Sequence, residues 1–464
     1  MITDRYEPMN LFDLVPKLSL EMDPVLAALD KLLDDDVLFQ RVKDDLARRY
    51  PNGLTLGRHS KPVEVILRTL VVRRLYDWSY EQTEHFVSDS IVLRQFCRLY
   101  LEAAPDDTTL IRWAALIGPE TLEQLNDHVA RLAHQLRVTR GRKLRSDSTV
   151  VETNIAYPRD SSLLRDGVRV VSRLIGRAKE FVDTHVQNAK VVFRNRTSSA
   201  KRLARQIADE ARRRGQEAEE GRRATYQRLL KVTEATLKQA ETVQSVLAEK
   251  SVTAAERLQE GLDQFVPLLK QVMTQTRRRV LGGQMVPAAE KLVSLFEPHT
   301  QIIRRGKVNK PTEFGRKVWL DEVDGGIISR YRVLEGNPND DKEVPGSLAN
   351  HQRLFTRPPN LFTGDRGVHS AENEVTAYQV GVKQVVLPQP GHKTSERKSH
   401  ERQGWFRRGL RFRAGIEGRI SVLKRRGYLG RCRDKGENGF GRWIGWGIMT
   451  ANLQTIARTQ AARS

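Results

Sequence analysis

The residues of this 464-residue chain best placed to do chemistry are acidic ones set among cations. Helical spacing in Phe412-Arg413-Ala414-Gly415-Ile416-Glu417-Gly418-Arg419-Ile420-Ser421-Val422-Leu423-Lys424 puts Ile416, Ile420 and Leu423 on one apolar stripe. Arg413, Glu417 and Lys424 lie on an adjoining face, so a single carboxylate stands between two cations. Two readings fit: a solvated ion pair, or a metal-binding glutamate beside phosphate-binding cations. Asp147 lies in a stretch of period two, where Leu144, Ser146, Ser148 and Val150 face one way and Arg145, Asp147, Thr149 and Val151 the other. Aspartate is disfavoured mid-strand, so Asp147 reads as an edge or turn residue, or as one with a task. Asp365 ends the short strand signal Asn360-Leu361-Phe362-Thr363, next to Gly364 and Gly367. Asp-Arg-Gly by itself reads as a turn. Carboxylates are the hard oxygen ligands that Mg2+ takes, and divalent ions flanked by arginine and lysine suit a reaction at a phosphodiester.

The surrounding pattern shows which elements must hold these residues. Residues 1–135 read as short helices. Pro62 opens one that carries Val63, Val65, Ile66, Leu70 and Val71. Ser79 and Gln82 form a capping box, and Asp107 or Thr108 caps a helix with Leu110, Ile111, Trp113 and Leu116. Arg73, Arg74, Arg94 and Arg98 lie among these helices and are expected on the surface; a bundle of short helices with exposed arginines suits DNA binding, the alternative being a dimerisation or packing bundle. The period switches to that of a strand over 140–157. Residues 163–297 return to a long helical stretch, with Leu230, Leu237, Ala240 and Leu247 at heptad-like steps and bends expected at Gly215, Gly221, Gly261 and Gly282-Gly283. An antiparallel helical bundle is expected there, serving dimerisation, DNA contact or spacing alone. Asp324-Gly325-Gly326 then joins two strands, 318–323 and 327–334, as a hairpin. Ser370 caps a helix over 371–379, and another strand is expected at 383–388. An apolar helix with Trp443 and Trp446 closes the chain, its aromatics reading as core.

The formal charge is +22, which favours a polyanion as partner, nucleic acid before anionic membrane. From His392 to Lys435 there are 15 Lys/Arg against 4 Asp/Glu, so about half of the net charge surrounds Glu417. No apolar run approaches a membrane span and Met1-Ile2-Thr3-Asp4-Arg5 is no signal peptide, so a cytoplasmic protein is expected. Cys97 and Cys432 are too few for a cysteine zinc cluster.

The spacing Arg413, three residues, Glu417, six residues, Lys424 resembles the end of the tyrosine–arginine–glutamate–lysine signature of bacterial insertion-sequence transposases, with Leu410 at the tyrosine position. The segment from Ser148 to Leu164 is similar to the stretch after the first catalytic aspartate of that group. Strand, Asp365 and Gly367 resemble its second, although Val368 replaces the usual aromatic. His59-Ser60-Lys61-Pro62 and Pro105-Asp106-Asp107-Thr108-Thr109-Leu110 are similar to its N-terminal domain. The resemblance covers nearly all of the chain outside 166–297. It implies a mixed α/β, RNase H-like catalytic core, with a helical N-terminal domain over 1–135, core segments at 140–165 and 298–464, and a helical insertion at 166–297. It implies a triad of Asp147, Asp365 and Glu417 holding two Mg2+ or Mn2+ ions, and DNA contacts from Arg413, Lys424, Arg419, Arg407 and Arg408. The triad members are 218 and 52 residues apart, so only tertiary structure can assemble them. The implied activity is cleavage at terminal inverted repeats and transfer of the 3′ ends into target DNA. Double-stranded DNA and a homodimer or higher homo-oligomer are the implied partners. The alternatives are a metal-dependent nuclease of the same fold and a non-catalytic DNA-binding protein.

Overall fold

A computed structural model describes residues 22–48, 61–182, 192–249, 253–304 and 311–463. It is a mixed α/β structure that divides into two compact units, 1–152 with 316–464, and 153–315. Local signals set most helix starts. Asp23 and Asp35 cap α1 (Pro24–Leu32) and α2 (Asp36–Ala47), their carboxylates accepting from first-turn N–H groups. Pro62 precedes α3 (Val63–Leu75), and Ser79 and Gln82 form the capping box of α4 (Tyr80–Asp89). After α5 (Ile91–Phe96), α6 (Asp107–Leu116) is capped by Asp106, one residue before the expected position. Asp106 is the last extended residue, and its carboxylate accepts from Thr109 N at 2.7 Å. Next come α7 (Pro119–Gln135) and β1 (Lys143–Glu152). Of the segment His59-Ser60-Lys61-Pro62, His59 and Ser60 lie outside the described residues.

The unit 153–315 is broader than the expected insertion, because its first helix already begins at Asp160. It contains α8 (Asp160–Val182), α9 (Thr197–Glu210), α10 (Gln216–Leu247) and α11 (Thr253–Thr276). Strand β2 (Gln301–Arg304) pairs antiparallel with the first residues of β3 (Thr312–Val323). The helices share one apolar core, in which Leu230, Leu237, Ala240 and Leu247 of α10 are all buried. Gly215 does precede a helix, at φ 107°. Gly221 and Gly261 lie inside helices instead of at bends. Gly261 serves close packing, since a Cβ there would meet the Leu174 side chain at 3.2 Å.

In the other unit, β4 (Ile327–Val333) pairs antiparallel with β3 across the Asp324-Gly325-Gly326 turn, both glycines having positive φ. The Asp324 carboxylate accepts from the N–H groups of Arg140, Arg142 and Lys143 at 2.8–3.0 Å, which anchors the entry to β1. Then come α12 (Val344–Phe355), β5 (Leu361–Thr363), α13 (Ala371–Val380, capped by Ser370) and β6 (Gln384–Val386). Next are α14 (Ser395–Arg402), α15 (Gly404–Arg425) and α16 (Gly436–Ala461). The sheet places β1 between β3 and β5, with β1–β5 and β5–β6 parallel.

Helix α16 packs against α1, α3, α7 and β4, burying Trp443 and Trp446. The arginines expected on the surface of the N-terminal helices are structural. Arg73 and Arg74 are buried, Arg74 donating to Tyr428 O at 2.6 Å with its guanidinium 3.7 Å from the Trp443 ring. Arg73 pairs with Asp434 at 3.0 Å, Arg98 with Asp30 at 2.9 Å, and Arg94 donates to the carbonyls of Tyr100 and Glu102. Buried guanidinium groups need such partners, and the backbone carbonyls of neighbouring elements supply them.

The closing helix is tied to the sheet by a buried amide pair. Asn452 Oδ1 accepts from Ile328 N at 2.9 Å, and its Nδ2 donates to Ile328 O at 2.8 Å and to Asn126 Oδ1 at 2.9 Å. Substituting Asn452→Leu should therefore leave a strand N–H and an amide carbonyl unpaired, lowering unfolding stability by about 2–4 kcal/mol in urea melts. Retention of wild-type stability would show that the amide is replaceable.

Candidate functional site

Arg145 on β1 fixes the position of α15. Its Nε and Nη2 each donate to the Glu322 carboxylate on β3 at 2.7 Å, and its Nη1 donates to the Phe412 carbonyl of α15 at 2.6 Å. Its guanidinium also lies 4.6 Å from the Phe412 ring centre. The bidentate pair is nearly out of solvent, Glu322 exposing 1% of its side chain and Arg145 14%. Two glycines permit the approach: a Cβ at Gly415 would collide with Arg145, and one at Gly409 with Val386 of β6. Ile416 and Leu423 are buried, and Ile420 packs partly buried against the cluster that holds Leu423.

The parallel register of β1 and β5 pairs Arg145 with Thr363, so Asp147 and Asp365 come two residues later at matching positions. Asp365 caps a short turn, its carboxylate accepting from Val368 N at 3.1 Å. Asp147 exposes only 14% of its side chain and accepts from Ser148 N at 2.7 Å. Burial, and next the Asp365 charge, raise the Asp147 carboxyl to about 6, against the pull of Ser148 N–H and Arg413. Asp340, which sequence reasoning missed, adds to the crowding. It accepts from Ser148 Oγ at 2.9 Å and pairs with Lys317 at 2.9 Å. It sits in Asn339-Asp340-Asp341, which reads as an ordinary polar loop, and only tertiary structure brings it to β1.

Glu417 is held differently. Arg413 Nη1 meets Glu417 Oε1 at 2.8 Å, and Arg413 Nη2 lies 3.6 Å from Asp147 Oδ2. The guanidinium thus stands between the helix carboxylate and the strand carboxylate, while Glu417 exposes 63% of its side chain. Among the described residues no three His, Cys, Asp or Glu side chains are gathered closely enough to hold a metal ion. The expected convergence of three carboxylates is therefore not present as the side chains stand. Asp147 and Asp365 are brought together, and Arg413 takes the cationic position between Asp147 and Glu417. Arg413 Nε is buried and meets no acceptor among the described residues.

The expected DNA-contact residues separate into two groups. Arg407 and Arg408 are exposed on α15. Lys424 donates to the Val150 carbonyl of β1 at 2.8 Å, and Arg419 donates to Thr455 Oγ1 of α16 at 3.2 Å. Burial lowers the Arg419 pKa, with Glu322 opposing. Both side chains thus join α15 to neighbouring elements. No described helix is long and apolar enough to cross a membrane.

The raised Asp147 carboxyl has a stability consequence. Well below 3.8 it is neutral in both the folded and unfolded chain; between 3.8 and about 6 the unfolded chain ionises first. Stability from this group is therefore lost as pH rises through that window, about 3 kcal/mol in all at 1.36 kcal/mol per unit. Without divalent ions, Asp147→Asn should be more stable than wild type at pH 7.5, the gap closing towards pH 4. Urea melts of both proteins across that range would show it, and a gap independent of pH would place its origin elsewhere.

Residues 12–116 match the family model described as Transposase domain (DUF772). No curated protein and no solved structure matches the chain. The matched residues run through α6 and agree with the resemblance of the N-terminal segments. Over residues 12–116, under a quarter of its length, the chain is similar to a transposase domain.

Proposed function

We propose that the protein is a metal-dependent DNA transposase that cuts at the terminal inverted repeats of an insertion sequence and joins the ends to target DNA. The transposase domain supports the class. The observation that carries the chemistry is the cation Arg413 between Asp147 and Glu417, with Asp365 beside Asp147. A guanidinium in that place marks a spot whose electrostatics favour positive charge, and the surrounding donors are carboxylate oxygens, which suit Mg2+ or Mn2+. The mixed sheet with β1 at its centre suits an RNase H-like core. Asp147 and Asp365 would hold the ions, and Glu417 would join them once Arg413 releases it.

Bound divalent ions would supply activation of water or a 3′-hydroxyl and stabilisation of the leaving oxygen. The remaining tasks fall to the chain's own residues. Arg413, freed from the carboxylates, can grip a phosphate through paired N–H donors. Arg407 and Arg408, exposed nearer the start of α15, would bind the DNA backbone. Lys424 and Arg419 hold α15 at the height on β1 that keeps Glu417 near the aspartates.

Asp147→Asn should abolish Mg2+-dependent cleavage of DNA carrying the element's ends, a loss of at least about 100-fold, while leaving DNA affinity within about twofold. Cleavage gels and binding isotherms on one protein preparation would measure both. Undiminished cleavage would reject the assignment, whereas cleavage without strand transfer by wild type would favour a nuclease.

A further inference from the structure

The unit 153–315 contains a cleft of about 970 Å3 that the catalytic reading does not use. Its lining brings together Arg159, Arg212, Arg222, Arg223, Lys291 and Arg304 from segments far apart in sequence. Against them stand two carboxylates, Asp160 and Glu219. Asp160 is already neutralised: Arg279, a seventh cation of the lining, meets its Oδ2 at 2.6 Å, and Gln275 donates to its Oδ1 at 3.2 Å. Arg159, Arg212, Arg222, Lys291 and Arg304 have no carboxylate partner among the described residues, and three of them, Arg159, Arg212 and Arg304, are exposed. Concentrating like charge in a concave wall costs repulsion, which a bound polyanion would remove.

An aromatic ring stands in the same lining. Tyr157 is 73% exposed and rests edge-on against Phe314, ring centres 5.7 Å apart. A large ring held in place by another ring but left open to solvent offers a stacking surface to a flat partner. Guanidinium groups for phosphates plus an exposed ring for a base face is the combination that single strands satisfy. A base-paired duplex hides its base faces and would leave Tyr157 unused.

We propose that this cleft binds a single-stranded DNA segment, its phosphates on the arginines and one base on Tyr157. The inference takes DNA as partner from the transposase reading, but it does not depend on Asp147, Asp365 or Glu417.

The test uses the full-length protein and a single-stranded oligonucleotide carrying 5-iodouracil. Irradiation followed by peptide mapping should place a crosslink at Tyr157. The double variant Arg212→Glu/Arg222→Glu should lower the slope of log affinity against log salt by about 1.4, since each single-strand phosphate contact contributes about 0.7. Circular dichroism on the same variant verifies the fold. Crosslinks confined to residues outside 153–315, an unchanged slope, or equal displacement of the strand by duplex would overturn the proposal. Failure here is separable from failure of the metal reading: Asp147→Asn should keep the Tyr157 crosslink while losing cleavage, and the cleft variant should keep Mg2+-induced stabilisation.

Discussion

The seating of α15 on the sheet is the constraint on which the rest of the site depends. Arg145 makes it through one side chain, gripping the Glu322 carboxylate on β3 and the Phe412 carbonyl on the helix. A charge that deep is tolerated only because its hydrogen bonds are satisfied by groups that are themselves fixed. Gly409 and Gly415 then let the helix backbone come down onto strands β6 and β1, where any larger residue would collide. Lys424 and Arg419 fasten the same helix further along. The height and rotation of Glu417 relative to Asp147 are consequences of these contacts.

That seating creates an electrostatic problem which a cation must solve. Asp147 is buried next to Asp365, and both effects disfavour its ionised form. Arg413 answers part of this from α15, and the length of its side chain leaves Glu417 outside the group. The same physics, run in the opposite direction, governs the N-terminal helices. There the buried charges are guanidinium groups, and Arg68 pairs with Asp30 and Asp34 at 2.6 Å each. In one place a cation, Arg413, comes to a buried carboxylate, and in the other buried cations meet anions or carbonyls.

The sequence made legible those features that depend on local pattern. The Ser79–Gln82 box, the Ser370 cap, the hairpin at Asp324-Gly325-Gly326 and the strand carrying Asp147 all arise from short-range preferences, and all stand in the structure. The readings that failed depended on distant partners. Arg73 and Arg74 read as surface cations because Asp434 and the Tyr428 carbonyl lie more than 350 residues away in sequence. The DNA contacts expected of Lys424 and Arg419 stand apart from these; what the sequence did not show is that both side chains also bond to β1 and α16. Gly221 and Gly261 read as bends because helix interiors disfavour glycine, yet packing against Leu174 gives Gly261 its place. Asp340 was invisible for the same reason, being an ordinary loop residue until the fold sets it beside Ser148. Position in a local pattern was readable, and long-range charge pairing was not.

The proposed function requires that Asp147, Asp365 and Glu417 share bound divalent ions. Iron-directed cleavage tests it most directly, because Fe2+ replacing Mg2+ generates radicals that cut the nearest backbone. With ascorbate and peroxide, cuts are expected near residues 147, 365 and 417 together, suppressed by excess Mg2+ and absent in Asp147→Asn. Cuts confined to other segments, or cuts at these positions that persist in Asp147→Asn, would contradict it.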